Sequence, residues 1–178
     1  MKIILLVRNP FAVALSKYKK KNWVWVTDPF GLYNQDELRN DYLLQHEGLF
    51  RYVGKRDDFI LNQVLIWSII HYIPFHQFNS DEILVLFYEE IFKDPQQAMS
   101  KLSKFIGKQF DQIPEEIITR PSKVVGTNFL KGRSPIDSWM SDLPKTSIDR
   151  GRAILHEFGL DNIYDSTSMP NSIDVNKF

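Results

Sequence analysis

Two short apolar runs constrain the fold of this chain more than any other feature of its sequence. Residues Ile3–Val7 and Ile83–Phe87 are continuously apolar, and each run is followed at once by residues that suit a helix start. Runs of this length and character are typical of strands that are covered on both faces in a parallel sheet. Helical patterns fill the sequence between them. The sequence therefore predicts an α/β fold with a parallel sheet at its core.

The predicted helices have recognisable beginnings and ends. Asn9–Pro10 can cap and open a helix that extends to about Lys20. Asp94–Pro95 can open another, which Gly107 would end. Further helical patterns cover residues 35–50, 58–73 and 146–158, the second of them strongly amphipathic. Two strands are few for a stable sheet, so the sequence also predicts that strands of the fold are missing from it.

Overall charge identifies no partner for this chain, because 22 Lys and Arg balance 22 Asp and Glu. The distribution of charge is uneven, however. Residues 1–21 and 119–136 each carry several basic side chains and no acidic one. Such stretches in a neutral protein predict local anion sites rather than a nucleic-acid surface.

The composition of the chain argues against several kinds of site and segment. The 178 residues include no cysteine, which excludes disulfides and thiolate metal sites and suits the cytoplasm. The four histidines lack metal-ligand spacing, so no metal is expected. Every long apolar stretch contains polar residues, so no membrane span is expected either.

The residues Arg8-Asn9-Pro10 join the first predicted strand to the first predicted helix. A helix start offers free backbone N–H groups and the positive end of the helix dipole, and Arg8 adds a guanidinium that can grip a phosphate. Ser16 lies seven residues beyond Asn9, or about 10 Å along the same helix face. The residues alone leave two interpretations open: a phosphate site, or an arginine at a strand end and a surface serine.

The residues FYEE close the second predicted strand. Tyr88 lies where doubly wound sheets bind ligands, although the residues alone favour an aromatic side chain that packs at the sheet edge. Glu89 and Glu90 are adjacent and would point in different directions, which does not suit an acid–base pair. We expect a structural role for them, with a hydrogen bond to a neighbouring helix start.

Together these segments resemble the sulfotransferases that use 3′-phosphoadenosine 5′-phosphosulfate. The segment KIILLVRNPFAVALSKY is similar to the 3′-phosphate motif of that family, in which a serine follows the arginine after eight residues. The resemblance therefore implies that Arg8 and Ser16 bind the 3′-phosphate. EILVLFYEEIFKDPQQAMSKLSKFIG resembles the next strand and helix of the family, which would place Tyr88 beside the adenine.

A third resembling segment is RPSKVVGTNFLKGRSPIDSW, which is similar to the late loop that closes over the nucleotide in this family. Trp139 would be its anchor. The resemblance assigns Lys131, Gly132 and Arg133 to the nucleotide site, and either Lys131 or Arg133 would hold the 3′-phosphate. The usual Arg-Lys-Gly element is reduced here to Lys-Gly.

The resemblance implies a partial three-layer, P-loop-NTPase-like sulfotransferase fold. The domain would cover residues 1–164, and residues 165–178 would form a polar tail. The family's 5′-phosphosulfate loop and catalytic base precede the strand that ends at Arg8. We therefore expect the sequence to be a fragment, with the catalytic base upstream of Met1.

The implied function is transfer of a sulfuryl group from 3′-phosphoadenosine 5′-phosphosulfate to a hydroxyl or amine acceptor, without a metal. This chain would supply the part of the site for the 3′-phosphate and adenine. The alternative is a catalytically inactive nucleotide-binding or protein-interaction module derived from such an enzyme. The missing strands would also leave an exposed sheet edge through which the chain self-associates.

Overall fold

The computed structural model describes residues 1–20, 26–54, 58–110, 134, 136–164 and 167–171. Its two strands are β1 (Ile3–Val7) and β2 (Ile83–Phe87), which pair in parallel. The register runs from Ile3 opposite Ile83 to Val7 opposite Phe87. The predicted α/β class and the parallel sheet are therefore confirmed for the described part of the chain.

The other described elements are helices and helical turns. The helices are α1 (Pro10–Lys19), α2 (Phe30–Tyr33), α3 (Asp36–Leu38), α4 (Glu47–Gly54), α5 (Phe59–Gln77), α6 (Tyr88–Lys93), α7 (Pro95–Ile106), α8 (Ser138–Asp142) and α9 (Lys145–Glu157). Between α3 and α4 the chain forms a π-helical turn at Arg39–Leu43 and a 3₁₀ turn at Leu44–His46. The helix predicted over residues 35–50 is thus divided into shorter pieces.

Local residue chemistry sets the helix boundaries that the sequence predicted best. The side chain of Asp94 accepts a hydrogen bond from the Gln97 backbone N–H at 2.9 Å and so caps α7. Gly107 ends that helix with a left-handed backbone, at φ 74°. Gly159 has φ 66° just after α9, and its N–H donates to the His156 carbonyl at 2.9 Å. Glycine suits both positions because it adopts this conformation without steric cost.

α5 is the central helix of the domain and contacts both α1 and α9. It was predicted to be amphipathic, but the polar residues Gln63, Ser68 and His71 are buried together with its apolar ones. The prediction is wrong because elements pack on nearly every side of the helix. By length and composition α5 could cross a membrane, yet 67% of its most apolar window is buried inside the protein, as in the core helix of a globular domain.

The sheet is covered less completely than predicted. Val7 is buried, whereas Ile4 and Leu6 on the opposite face of β1 are 46% and 58% exposed. Residues on alternate positions of a strand point to opposite faces. The described elements therefore cover one face of β1, and the expectation of two covered faces is wrong for this part of the structure.

Candidate functional site

The ends of the two strands bring together two of the residues that the sequence singled out. Arg8 directly follows β1 and Tyr88 directly follows β2, and the parallel register puts both at the same edge of the sheet. The Arg8 guanidinium carbon lies 4.5 Å from the centroid of the Tyr88 ring. This is a cation–π contact, which holds the guanidinium over the aromatic face. The arginine is thus placed at the carboxyl end of the sheet, where ligands bind in open α/β folds.

The start of α1 differs from the expectation of free backbone N–H groups. Asn9 Oδ1 accepts hydrogen bonds from the backbone N–H groups of Phe11 at 3.0 Å and Ala12 at 3.3 Å. Pro10 has no N–H, and the Val13 N–H already donates to the Asn9 carbonyl at 3.0 Å. The asparagine cap therefore satisfies the donors that the first turn leaves open. An anion at this site would be recognised by side chains instead.

Glu89 is a buried carboxylate behind the same turn, with 1% of its surface exposed. Its Oε1 accepts the backbone N–H of Asn9 at 2.9 Å, and its Oε2 accepts the hydroxyl of Tyr164 at 2.8 Å. The expected hydrogen bond to a helix start is therefore confirmed for Glu89. Glu90 points elsewhere and pairs with Lys101 at 2.8 Å. The two carboxylates do not converge on one reacting centre.

Tyr164 is a site residue that the sequence did not indicate. It lies 75 residues from Glu89 in the chain and belongs to no motif. Burial raises the pKa of its hydroxyl well above the ordinary range, and the charge of Glu89 and the hydrogen bond to it act in the same direction. Tyr164 therefore keeps its proton at physiological pH and donates a hydrogen bond to Glu89.

Trp67 of α5 supports the turn from a third direction. Its indole Nε1 donates a hydrogen bond to the Arg8 carbonyl oxygen at 2.8 Å. In the sequence this tryptophan is indistinguishable from the apolar residues of the helix. Three contacts therefore fix the Arg8–Asn9 peptide and the arginine side chain: Trp67 holds the carbonyl, Glu89 holds the next N–H, and Tyr88 holds the guanidinium.

Ser16 is exposed on α1, seven residues beyond the Asn9 cap. This places it about 10 Å along the helix axis from the cap. The structure thus leaves Ser16 accessible but shows no contact between it and Arg8.

The basic loop of the prediction falls largely outside the described residues. Lys131, Gly132 and Arg133 lie there, so their place in the site stays a prediction. Trp139, which follows the loop, is 1% exposed and stacks on Phe11 of α1 with 5.1 Å between ring centroids. The chain just after the loop is therefore anchored on the helix that begins at Asn9.

The described residues include no cluster of three or more His, Asp or Glu side chains able to hold a metal ion. The polar groups at the ends of the strands are an arginine, two tyrosines and a buried glutamate with its own partners. This chemistry suits the binding of an anion that carries a flat ring, because a guanidinium binds phosphate and an aromatic residue contacts a base.

Comparison with known proteins gives one match. The model of the sulfotransferase domain family matches residues 1–145, which include the whole described sheet together with Arg8, Ser16 and Tyr88. No curated protein and no solved structure matches the chain.

Proposed function

This chain belongs to the sulfotransferase domain family, and from that premise we propose that it binds 3′-phosphoadenosine 5′-phosphosulfate. The observation that carries the proposal is the contact of the Arg8 guanidinium with the Tyr88 ring at the carboxyl edge of the sheet. A guanidinium held there can donate two parallel hydrogen bonds to a phosphate. The fold we propose is the three-layer, P-loop-NTPase-like one, with residues 1–164 as its domain.

Each site residue has a proposed role in binding the nucleotide. Arg8 binds the 3′-phosphate, and the exposed hydroxyl of Ser16 binds the same group from further along α1. Adenine would lie beside the Tyr88 ring, one face of which Arg8 covers. Lys131 or Arg133, with Gly132 between them, would complete the phosphate site.

The proposed reaction transfers the sulfuryl group to a hydroxyl or amine of the acceptor. The sulfur forms a bond to the acceptor oxygen or nitrogen as its bond to the bridging phosphate oxygen breaks. The acceptor proton passes to a base, and the nucleotide leaves as adenosine 3′,5′-bisphosphate. Positive groups near the bridging oxygen would stabilise the charge that develops there. We assign no residue of this chain as the base.

Two further proposals concern the whole chain. We propose a cytoplasmic location, since a chain of 178 residues without cysteine gains nothing from an oxidising compartment. We also propose that the chain self-associates through β1, whose Ile4 and Leu6 are exposed.

The nucleotide proposal is tested by comparing two ligands that differ by one phosphate. Isothermal titration calorimetry on the full chain should show tighter binding of adenosine 3′,5′-bisphosphate than of adenosine 5′-monophosphate. Arg8→Ala should weaken bisphosphate binding by roughly 10- to 100-fold, because charge-assisted hydrogen bonds are worth about 1.5–3 kcal/mol. Binding of the monophosphate should change little, and Ser16→Ala should cause a smaller loss in the same direction.

Arg51→Ala is the matched control, because Arg51 is an exposed arginine of α4 that pairs with Glu47 at 2.6 Å. It should leave both affinities unchanged. Equal bisphosphate affinity before and after Arg8→Ala would contradict the assignment of the 3′-phosphate site.

The alternative proposal is a nucleotide-binding or interaction module without catalysis. It is favoured because the carboxylates nearest the site already have partners. Glu89 accepts hydrogen bonds from Asn9 and Tyr164, and Glu90 pairs with Lys101. Incubation of the chain with the phosphosulfate nucleotide and mixed hydroxyl and amine acceptors tests the module, which sustained production of the bisphosphate would refute. Absence of turnover fits both proposals, because no residue of this chain is assigned as the base.

A further inference from the structure

The carboxylate of Glu89 connects the proposed phosphate site to the C-terminal part of the domain. Its two oxygens each accept one hydrogen bond, from the Asn9 N–H and from the Tyr164 hydroxyl. Both partners are donors, so both oxygens of the side chain act as acceptors. A buried carboxylate with this few donors depends on each of them, because a charge left partly unpaired in the interior is costly.

Tyr164 is held in a defined place by its surroundings. It is 1% exposed, and its ring makes edge contacts with Trp67 at 6.2 Å and Phe87 at 6.0 Å between centroids. Trp67 is the residue that bonds the Arg8 carbonyl, and Phe87 is the last residue of β2. The hydroxyl that reaches Glu89 is thus fixed by the same side chains that support the ends of both strands.

The segment that carries Tyr164 is closed by its own hydrogen bonds. The Asn171 backbone N–H donates to the Ile163 carbonyl at 2.9 Å, and its side-chain amide donates to the Asn162 carbonyl at 3.0 Å. This segment follows the end of the family match at residue 145. Tyr164, whose hydroxyl bonds Glu89 behind the proposed phosphate site, therefore lies in a part of the chain outside that match.

From this arrangement we propose that Tyr164, acting through Glu89, is a positioning residue for the Arg8–Asn9 turn and so for recognition of the 3′-phosphate. The inference rests on the proposed nucleotide site. Without the tyrosine hydroxyl, Glu89 Oε2 loses its donor, and the carboxyl group can turn away from the Asn9 N–H that its other oxygen accepts. The Arg8–Asn9 turn is then held less firmly, and the guanidinium no longer keeps the position over Tyr88 from which it would bind a phosphate.

Tyr164→Phe tests the proposal, because it removes one oxygen and keeps the ring contacts. Calorimetry should show that the preference for adenosine 3′,5′-bisphosphate over adenosine 5′-monophosphate falls by roughly tenfold, about the value of one hydrogen bond to a charged group. Affinity for the monophosphate should stay near that of the unmodified chain. A general loss of stability would instead lower both affinities together, and that result, or an unchanged preference, would overturn the proposal.

Tyr72→Phe is the matched control. Tyr72 is also buried, and its hydroxyl accepts a hydrogen bond from Gln45 Nε2 at 2.8 Å. This variant removes a comparable hydroxyl without touching Glu89, so the preference between the two nucleotides should stay unchanged. Glu89→Gln should reproduce the loss seen in Tyr164→Phe, and the double variant should lose no more than the larger single one, since both act on one pair.

A measurement without nucleotide separates failure of this inference from failure of the proposed function. In ¹⁵N-labelled chain, the Asn9 amide should exchange its hydrogen faster after Tyr164→Phe, whereas amides in the middle of α1 keep their rates. Unchanged exchange at Asn9 would refute the positioning role on its own. If the unmodified chain shows no preference for the bisphosphate, the proposed function fails, and the exchange rates still decide whether Tyr164 positions the turn.

Discussion

At residue 151 of α9, the aromatic ring of Phe11 occupies the space that a side chain would need. A Cβ built on Gly151 would collide with that ring, and Phe11 Cζ would lie 2.9 Å from it. Phe11 cannot move easily, because it is 1% exposed and stacked on Trp139. The glycine therefore sets how closely α9 approaches α1, the helix that begins at the proposed phosphate site.

Whether a glycine-to-alanine substitution stabilises or destabilises the protein consequently depends on its position. Gly151→Ala should lower the free energy of unfolding by about 1–3 kcal/mol, the usual cost of overpacking a core. Gly48→Ala on α4 is the control, since nothing lies within 4 Å of a Cβ at that site. It should raise stability by up to about 1 kcal/mol, the helix propensity difference. Urea unfolding followed by circular dichroism measures both, and stabilisation by both variants would contradict the packing argument.

At the scale of the element, α5 keeps a neutral histidine inside the domain. Burial lowers the pKa of His71 to about 4 from 6.5, while the hydrogen bond to the Trp67 carbonyl acts in the opposite direction. Its Nδ1 lies 2.7 Å from that carbonyl oxygen, and its ring stacks on Trp67 at 4.1 Å. The unfolded chain therefore binds a proton near pH 6.5 that the folded chain accepts only near pH 4.

This difference predicts that the domain loses stability on acidification. Because the folded pKa is the lower one, the free energy of unfolding should fall as pH decreases from about 6.5 to about 4, by up to roughly 3 kcal/mol. His71→Asn, which can keep a donor for the Trp67 carbonyl, should flatten that slope. His76→Asn changes an exposed histidine of the same helix and should retain it. Urea titrations at several pH values test this, and an equal slope in all three chains would be evidence against it.

Elements whose signals are local were predictable, and contacts between distant elements were not. Asp94 and Gly107 bound α7 as expected, because capping depends on residues within one turn. Burial of α5 on nearly every side depends on which helices pack around it, and no periodicity within the helix reports that. For the same reason Arg8 was recognised as a site candidate, whereas its supports Trp67 and Tyr164 were not.

At the scale of the whole molecule, the described part of the chain leaves apolar surface on one side of its sheet. Ile4 and Leu6 are exposed on β1, and the apolar residues Met99, Leu102, Phe105 and Ile106 of α7 are only partly buried. Among the described residues, β1 pairs with β2 alone. A strand with an unpaired edge and an apolar face tends to pair with another chain.

Leu6→Lys tests whether this surface drives self-association. We expect the unmodified chain to form dimers or larger species as its concentration rises, and Leu6→Lys to shift the equilibrium toward monomer, because a charge on an exposed strand opposes pairing. Sedimentation velocity over a concentration series measures both chains. Leu44→Lys is the matched control, since Leu44 is 53% exposed in the 3₁₀ turn before α4, and it should leave the association unchanged. An interface on β1 would be refuted if the unmodified chain stayed monomeric at every concentration, or if the two lysine variants shifted the association equilibrium equally.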